Sequence, residues 1–486
     1  MGVIETDYLV VGAGAAGMAF TDELIAQSDA DVVMVDRRDR PGGHWNDAYP
    51  FVRVHQASAN YGVNSRRLGR DAVDTTGPNA GYYERATGVE ICDYFWRVLD
   101  DHLLASGQVR FLPKCDYRGD WSNEHTVRSL LTGHTTTVRV RRRVVDGTYL
   151  EVQVPATHRP AFTVDAEVEL IPVGRLVGLA EPPAGFTVLG AGKTAMDACC
   201  WLLEHGVEPD RIRWVRPNDA WILDRAALQP LTLLAGTIEA IADWTECLAE
   251  AGSVADLFRR LEEKGGLFRL DPRVEPSAFR GPILSQGEMA ALRQIEQVVR
   301  QGRVRHLGAD RIVLDGGEIP TTRGEVHVDC TASGFRSAPA RPIFEPGRIT
   351  LQSLIGGFTT CYAALVGFVE AARNDDNDRN RLCEPVPQVF LAGDWLPMMR
   401  GILRSSALHA AEPDLAAWSD QRRLSLTCGL SEQTDEPRVA AALGRWAAHA
   451  EAALKNADAL RPPGPTRPGS GPASRGCGPG RPGRWR

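Results

Sequence analysis

Residues 8–25 of the 486-residue chain read YLVVGAGAAGMAFTDELI, an apolar run followed by glycines and then by apolar residues at helical spacing. This pattern predicts a buried strand, a tight turn and a helix. In such a turn Gly12 allows the chain to reverse, Gly14 lets a pyrophosphate approach the backbone, and Gly17 lets the helix pack close to the strand. Phosphates would lie at the helix N-terminus, where free N–H groups favour anions.

An acidic residue completes this first unit. Residues 31–35 form a second apolar run that ends in Asp36, nineteen residues beyond Gly17. A carboxylate at that position is well placed to accept hydrogen bonds from ribose hydroxyls. The segment is therefore predicted to bind a dinucleotide, against the alternative of a βαβ unit that binds no nucleotide.

The same pattern occurs again in the middle of the chain. Residues 186–189 are apolar, the sequence GAGKTA follows at 190–195, and Ala195 replaces the third glycine, which the fingerprint tolerates. A Walker loop would need a glycine where this chain has Thr187, so an ATPase is excluded. The residues expected to hold a second dinucleotide here are Gly190, Gly192, Lys193 and Thr194.

The strand that follows the second turn predicts the nucleotide it binds. Residues 211–215 end in Arg216 rather than in an acid. An arginine at this position suits a 2′-phosphate, and no carboxylate replaces it, which favours NADPH over NADH. The alternative for Arg216 is a solvated surface arginine.

Composition excludes several classes of function. The chain has 43% hydrophobic and 24% charged residues, as soluble globular proteins do, and its length suggests two or three domains. A net charge of −7 without a basic stripe argues against nucleic acid, and no apolar run is long enough to predict a membrane span. Because the first strand begins close to Met1, no signal peptide is expected. Ten cysteines without paired spacing favour reduced thiols in a cytoplasm and exclude a flavin disulfide reductase.

Two later segments indicate which dinucleotide binds at which turn. Residues 326–335, VHVDCTASGF, resemble the strand that carries the chain back from the NADPH domain in flavoproteins with two dinucleotides. Residues 388–395, QVFLAGDW, resemble the last FAD strand of those proteins. There Gly393 would allow backbone approach and Asp394 would accept a hydroxyl hydrogen bond. Each segment alone could also be a generic exit from a strand into a turn.

Residues 36–45, DRRDRPGGHW, add a Gly-Gly-x-Trp segment directly after the acid of the first unit. With the two turns, this makes residues 6 to about 415 resemble the class B flavoprotein monooxygenases, which include flavin-containing monooxygenases, Baeyer–Villiger monooxygenases and N-hydroxylases. The resemblance implies that reduced FAD reacts with oxygen to give a C4a-(hydro)peroxide, protected by bound NADP, which oxygenates a substrate. It also implies that Gly43 passes close to the flavin and that Trp45 covers apolar surface beside it, although Trp45 could instead be a core aromatic.

One departure from that family concerns its fingerprint Phe-x-Gly-x-x-x-His-x-x-x-(Trp/Tyr/Phe). In the corresponding frame His158 and Phe162 keep their spacing, whereas Val152 and Val154 replace the phenylalanine and the glycine. The departure indicates an outlying branch and puts Baeyer–Villiger chemistry in doubt. His158 is either a structural loop histidine or part of a linker that communicates NADP binding.

Residues 54–65, which follow the Gly-Gly-x-Trp segment, are rich in uncharged hydrogen-bonding groups. In related enzymes an asparagine from this region helps to hold the peroxyflavin and NADP, so the resemblance implies a catalytic amide among Gln56, Asn60 and Asn64. Such amides donate to a developing oxygen charge without supplying a proton. A polar turn is the alternative for each.

The order of the motifs predicts an α/β protein with two Rossmann-like domains, the NADPH domain being inserted in the FAD domain. The predicted boundaries are 1–180 and 326–430 for the FAD domain, 181–325 for the NADPH domain with a helical insertion at 226–301, 431–460 for a C-terminal helix, and 461–486 for a disordered tail rich in Pro, Gly and Arg. Helices are predicted at 226–264, 286–301, 359–372 and 438–454.

These features favour a cytoplasmic FAD- and NADPH-dependent monooxygenase that uses a small-molecule substrate and molecular oxygen, with no nucleic-acid or membrane partner and with a homodimer left open. One alternative is an FAD/NADPH oxidoreductase whose acceptor is not oxygen, and another is a redox-sensing flavoprotein without turnover. The substrate is not encoded in a motif. Arg400 and Arg404 could bind a carboxylate, and could equally contact flavin phosphates or solvent.

Overall fold

The structure is a computed structural model that describes residues 2–121, 124–354 and 357–460. Its strands are β1 Val3–Val11, β2 Val32–Val35, β3 Val109–Leu112, β4 Cys115–Tyr117, β5 Thr126–Ser129, β6 Thr135–Asp146, β7 Val152–Gln153, β8 Thr163–Val164, β9 Leu170–Pro172, β10 Gly185–Leu189, β11 Ile212–Val215, β12 Ile222–Asp224, β13 Leu267–Phe268, β14 Ile283–Leu284, β15 Val298–Val299, β16 Val304–Leu307, β17 Arg311–Leu314, β18 Gly317–Pro320, β19 Glu325–Asp329, β20 Gly334–Phe335, β21 Phe344–Glu345 and β22 Arg348–Thr350. Its α-helices are α1 Ala15–Gln27, α2 Gly88–Val98, α3 Lys193–Glu204, α4 Leu234–Glu250, α5 Val254–Glu263, α6 Gln286–Leu292, α7 Thr359–Ala372, α8 Asp376–Leu382, α9 Trp395–Ala411, α10 Pro413–Gln421 and α11 Pro437–Ala459.

The first glycine turn follows β1 in a sheet with the strand order β21-β22-β6-β1-β2-β3, in which β22, β6, β1, β2 and β3 run parallel. Side chains alternate between the two faces of a strand. Tyr8 and Val10 accordingly pack with α1 and α7, whereas Leu9 and Val11 pack on the opposite face with residues of β2 and β6. The apolar run therefore forms the strand covered on both faces that the sequence predicts.

The second glycine turn follows β10 in a five-stranded, all-parallel sheet with the order β15-β11-β10-β19-β9. All five residues of β10 are buried. Val188 packs with α3 on one face, and Leu189 packs on the other face with strands β16 and β17 of a smaller sheet. The structure thus confirms the α/β class with one mixed and one all-parallel sheet, each of which carries a glycine turn after one of its parallel strands.

The second sheet extends beyond the boundaries predicted from the sequence. Strand β9 lies before residue 180 and strand β19 spans residue 326, yet both pair in this sheet. The chain crosses from the first sheet to the second after β6 and returns after β19. The two crossings meet as an antiparallel ribbon, in which β7 pairs with β20.

The segment predicted as a helical insertion is less regular than expected. Helix α4 begins at Leu234 because Pro230 lacks an N–H and Leu231 adopts a φ of +56°, so the preceding residues form short 3-10 turns. Helix α6 ends at Leu292, and β15 then pairs with β11. The helix predicted at 286–301 is therefore wrong over its second half.

The other two helix predictions are confirmed. Helix α7 has the predicted bounds, and α11 covers the predicted C-terminal helix and packs along α4. No helix in the described ranges is both long and apolar enough to cross a membrane. The tail predicted to be disordered, 461–486, lies outside the described residues.

Residues 388–395 do not form the last strand of the first sheet, and that prediction is wrong. Strand β22 pairs parallel with β6 at that place instead. Residues 392–394 form a 3-10 turn that leads into α9, and Trp395 packs edge-on against Phe258 at a ring separation of 5.9 Å. The segment thus belongs to the helical part of the protein.

Candidate dinucleotide sites

The first turn packs as tightly as its glycines predict. Gly12 has a φ of +100°, in the left-handed region that favours glycine. A Cβ on Gly17 would lie 2.0 Å from the carbonyl oxygen of Gly12, and a Cβ on Gly43 would lie 3.0 Å from Cα of Gly14. Gly14 is the N-cap of α1, and no side chain caps that helix. Its first N–H groups are therefore placed to bind an anion.

Asp36 reaches the first turn from the end of β2. The carboxylate is 7% exposed and accepts hydrogen bonds from the N–H of Ala13 at 2.7 Å and the N–H of Arg38 at 2.8 Å. A carboxylate has about four acceptor sites, so two backbone donors leave capacity for a hydroxyl. The acid lies where the sequence predicts a ribose contact.

Trp45 lies between the two main hydrophobic cores. Its ring packs against residues of the first core and of the second. Its Nε1–H donates to the hydroxyl of Tyr61 at 2.7 Å, and the two rings meet edge-on at 5.9 Å. These contacts fix the half-buried indole in one orientation. It presents an apolar surface close to Gly43, which precedes it by two residues.

The second turn is open in front of its helix. Gly190 has a φ of +131°, and a Cβ there would lie 2.5 Å from the carbonyl oxygen of Cys330. Gly192 is the N-cap of α3, without a side-chain cap, and a Cβ on it would meet no atom within 4 Å. The turn thus leaves space at the N-terminus of α3 for a phosphate group.

Lys193 has an internal partner that was not predicted. Its ammonium forms an ion pair with Asp197, one helical turn further on, and its side chain is only 8% exposed. The hydroxyl of Tyr49 donates to the same carboxylate at 2.6 Å, and Thr194 contacts that hydroxyl. Burial raises the pKa of Tyr49 well above its usual value. Tyr49 and Asp197 therefore join a loop of the first unit to α3.

A matching pair of Asp-x-Thr turns ends the strands beside the two glycine turns. Asp146, at the end of β6, accepts hydrogen bonds from the N–H of Thr148 at 3.0 Å and its hydroxyl at 2.8 Å. Asp329, at the end of β19, accepts the same two bonds from Thr331 at 2.9 and 2.6 Å. The tripeptides DGT and DCT after apolar runs are the signal that could have shown this repeat. The side chains of His158 and Thr331 form a hydrogen bond of 3.2 Å. This bond connects the loop in which the family fingerprint is altered to the Asp-x-Thr turn beside the second glycine turn.

Arg216 is not the solvated surface arginine that was the alternative, but a carboxylate competes for it, contrary to the prediction. Its side chain is 3% exposed, lies 4.8 Å from the centre of the Trp214 ring and pairs with Asp219 at 2.9 Å. Arg300 follows β15, pairs with the same Asp219 at 2.9 Å and is 31% exposed. Because β11 and β15 are parallel neighbours, the two arginines meet at one edge of the sheet and share a carboxylate.

The three amide side chains predicted as catalytic are engaged within the protein. Gln56 donates from Nε2 to the carbonyl oxygen of Asn60 at 2.8 Å. Asn60 donates to backbone carbonyls of the segment 423–425 at 3.3 Å, and its buried Oδ1 has no partner among the described residues. Asn64 donates to the buried carboxylate of Glu23 on α1 at 2.8 Å. The structure thus brings Gln56 and Asn60 together, whereas Asn64 connects its own loop to α1.

Gly393 and Asp394 lie in the 3-10 turn before α9 and not at the end of a strand of the first sheet, so that part of their prediction is wrong. The carboxylate of Asp394 accepts hydrogen bonds from the N–H groups of Phe390 at 3.0 Å and Leu391 at 2.9 Å. These bonds stabilise the turn before α9. In this protein the Gly-Asp pair that follows the apolar run forms the turn that precedes a helix.

A buried ionic network beside the second turn was not predicted from the sequence. The carboxylate of Glu288, on α6, pairs with Arg225 at 2.6 Å and with Arg85 at 3.1 Å, and all three side chains are less than a tenth exposed. Although burial alone would raise it, the charges of Lys193 and the two arginines lower the pKa of Glu288 to about 2. Desolvation, assisted by the same cations, lowers the pKa of His55 to about 4. The network joins the first unit, α3 and the helical segment.

Comparison with known proteins assigns the chain to a family. Residues 10–67 match the NAD(P)-binding Rossmann-like domain family. The uncharacterized protein Rv2000 of Mycobacterium tuberculosis is 43% identical over 438 residues, which cover 90% of this chain and 80% of that protein. The chain belongs to the family of this protein. The uncharacterized protein Mb2023 of Mycobacterium bovis, a further member, matches to the same extent.

Solved structures of lower similarity include monooxygenases. Cyclohexanone monooxygenase bound to cyclohexanone is 14% identical, with 76% of this chain and 88% of that chain covered and a TM-score of 0.46. Oxidized steroid monooxygenase bound to NADP is 14% identical, with 86% and 90% covered and a TM-score of 0.46. At this identity and these TM-scores the similarity assigns no activity.

Arg300 and Arg216 give a test of nucleotide preference. Arg300→Ala is expected to weaken NADPH binding about tenfold or more relative to NADH, because a charge-assisted contact to a phosphate is worth roughly 1.5–3 kcal/mol. Arg216→Ala is expected to lower the same ratio and also the melting temperature, because the Arg216 side chain is buried. Dissociation constants for both nucleotides measure the effect, and an unchanged ratio in both variants would move the role to Arg213 or Lys193.

Proposed function

We propose that the protein is an FAD- and NADPH-dependent monooxygenase of small molecules. One atom of molecular oxygen enters the substrate and the other leaves as water, while one NADPH and one proton are consumed and NADP⁺ is released. The observation that carries the proposal is the presence, in one chain, of two sheets that each have a parallel strand leading through a glycine turn to a helix N-terminus whose N-cap is glycine. Two such turns permit a hydride donor and a flavin to bind together.

The residues at the first turn fit FAD. The N–H groups of α1 behind Gly14 would hold the pyrophosphate, and Asp36 would accept from ribose hydroxyls while repelling a 2′-phosphate. The backbone of Gly43 packs against that of Gly14, so no side chain of either residue occupies the space beside the turn. Trp45 supplies an apolar surface nearby. Bound flavin would supply the two-electron chemistry that activates oxygen.

The residues at the second turn fit NADPH. The space in front of Gly192 would admit the pyrophosphate to the N-terminus of α3, which begins with Lys193 and Thr194. Arg216 and Arg300 would contact a 2′-phosphate. Together with Arg273 they pair with only two carboxylates, those of Asp219 and Asp271, so one of the three positive charges is not balanced. The remaining positive charge favours NADPH over NADH.

The proposal places the protein in a cytoplasm, because all nine cysteines in the described ranges are free thiols. The principal alternative is an oxidoreductase with the same cofactors and an acceptor other than oxygen. A redox sensor without turnover is less well supported, since it would need only one dinucleotide site.

Oxygen transfer is tested with isotopically heavy oxygen gas. The protein with FAD bound is reduced by NADPH without oxygen, mixed with labelled oxygen and a panel of small nucleophiles, and the products are analysed by mass spectrometry. Label in an organic product is the expected result. Reoxidation by quinones or dyes together with an absence of label from every product would overturn the proposal and favour the oxidoreductase.

Gln56→Leu is expected to increase the fraction of NADPH electrons lost as hydrogen peroxide. We propose that Gln56, whose Nε2 has a second N–H besides the one bonded to the carbonyl oxygen of Asn60, presents a neutral donor near the flavin, where a preorganised donor is worth about 3 kcal/mol toward developing oxygen charge. Asn64→Leu is the matched control, because Asn64 bonds Glu23 on α1 and should affect stability rather than coupling. Equal peroxide release from the wild type and Gln56→Leu would show that the stabilising group lies elsewhere.

A further inference from the structure

A cavity of about 400 Å³ opens beside the ribbon that joins the two sheets. Gln153 of β7 and Phe335 of β20 line it, and these two strands are the paired crossings between the sheets. Along the chain, Gln153 lies five residues after Thr148 and Phe335 lies four residues after Thr331. Glu151, which lines the cavity, donates its N–H to the carbonyl oxygen of Thr148 at 3.0 Å, and Ser333, which also lines it, follows Thr331 by two residues. The cavity therefore borders both Asp-x-Thr turns, each of which contacts a glycine turn.

The walls of the cavity carry an excess of positive charge. Arg280 and Arg336 line it together with one carboxylate, that of Glu151. The guanidinium of Arg280 donates to the carbonyl oxygen of Ser333 at 3.2 Å. Within the described ranges, no carboxylate forms an ion pair with Arg280 or Arg336, so their charge is available to an anion.

The arginines suggested by the sequence for carboxylate binding are occupied. Arg400 pairs with Asp458 at 2.6 Å, and Arg404 has Glu384 at 3.6 Å. Neither lines the cavity. An anionic ligand is therefore better matched by the unpaired arginines of the ribbon cavity than by those of α9.

Aromatic surface accompanies this charge. The guanidinium of Arg280 lies over the Phe390 ring, 5.0 Å from its centre, and both line the cavity. Phe335 also lines it and is 44% exposed, so its ring is accessible to a ligand in the cavity. A ligand with an anionic end and an apolar body would use both features.

We propose that this cavity binds the substrate of the oxygenation and that the substrate is an organic carboxylate with an apolar or aromatic body. The inference rests on the proposed monooxygenase function. Arg280 and Arg336 bind the carboxylate, a planar anion that matches the guanidinium fork, and Phe335 and Phe390 cover the body. The assignment deepens the proposed function by naming its substrate class.

The test measures binding to the FAD-loaded protein by calorimetry, without NADPH and without turnover. The probes are phenylacetate, octanoate and benzoate, with phenylacetamide as the neutral counterpart of the first. At least one carboxylate is expected to bind saturably and more tightly than the amide. Arg280→Gln and Arg336→Gln are each expected to weaken that carboxylate about tenfold to a hundredfold, the usual effect of losing a charged hydrogen bond.

Arg404→Gln is the matched control and is expected to leave carboxylate binding unchanged, because Arg404 lies outside the cavity. Absence of saturable binding by all three carboxylates, equal binding of phenylacetate and phenylacetamide, or unchanged affinity in both cavity variants would overturn the assignment. Competition by inorganic phosphate as strong as that by phenylacetate would overturn the requirement for an apolar body.

The two proposals fail in different ways. Carboxylate binding that depends on Arg280, together with an absence of oxygen label in every product, would refute the monooxygenase and leave the binding site. Labelled products from neutral substrates at a rate unaffected by Arg280→Gln would refute the carboxylate site and leave the monooxygenase.

Discussion

Gly14→Val is expected to yield protein that folds but binds no flavin. A Cβ on Gly14 would already lie 3.6 Å from Cα of Gly43, and the two methyl groups of valine would extend into the space before the N-terminus of α1. The pyrophosphate would lose that space and the N–H groups behind it, so a loss of affinity of at least a hundredfold is expected. The measurement is the ratio of flavin to protein absorbance after purification and after addition of FAD.

Two variants serve as controls for this result. Gly192→Val places the same side chain in the open space before α3, so it is expected to retain FAD and lose NADPH. Gly393→Ala also meets no atom within 4 Å, and it is expected to retain both nucleotides because its turn is not part of either sheet. A normal FAD content in Gly14→Val would contradict the assignment of the first turn.

Glu288→Ala is expected to lower the free energy of unfolding by about 3–5 kcal/mol, because it leaves Arg85 and Arg225 buried without a counter-charge. Chemical denaturation monitored by fluorescence measures the change. Glu263→Ala is the matched control: Glu263 pairs with Arg259 on an exposed surface of α5, and its loss is expected to cost less than about 1 kcal/mol. Equal effects of the two substitutions would show that the buried network contributes little.

The same carboxylate gives this stability a defined pH dependence. The pKa of Glu288 is about 2 in the folded protein, below the value of about 4.3 for an unfolded chain. A depressed pKa means that the unfolded state binds the proton first, so the contribution is complete above about pH 5 and is lost as the pH falls toward 2. The difference in stability between the wild type and Glu288→Gln is therefore expected to shrink over that range.

The two glycine turns could be predicted because their signals are local. Each turn needs glycine at positions a few residues apart, where φ is positive or where backbones touch, and Gly12, Gly17 and Gly190 meet those conditions. The parallel pairing of β1 with β2 and of β10 with β11 then follows from the short connection through one helix.

Long-range pairing explains what the sequence did not reveal. The strand beside β6 is β22, only three residues long, whereas the more convincing apolar run before Gly393 leads into a helix. A local pattern does not specify which distant strand supplies the neighbouring hydrogen bonds. The partners of Arg216 and Lys193 are local, in contrast, since Asp219 and Asp197 lie three and four residues further along the chain, and this spacing is visible in the sequence.

The ribbon of β7 and β20 carries both crossings of the chain, so this one short element is the covalent connection between the two sheets. A two-stranded ribbon bends and twists more easily than it stretches, since stretching would break its backbone hydrogen bonds. Rotation of the nucleotide-binding units about this ribbon would also break the bond between Tyr49 and Asp197 and the buried ion pair of Arg85 with Glu288, which join the two units elsewhere. A ligand beside Gln153 and Phe335 would contact the ribbon directly, so its affinity would depend on how the ribbon is bent.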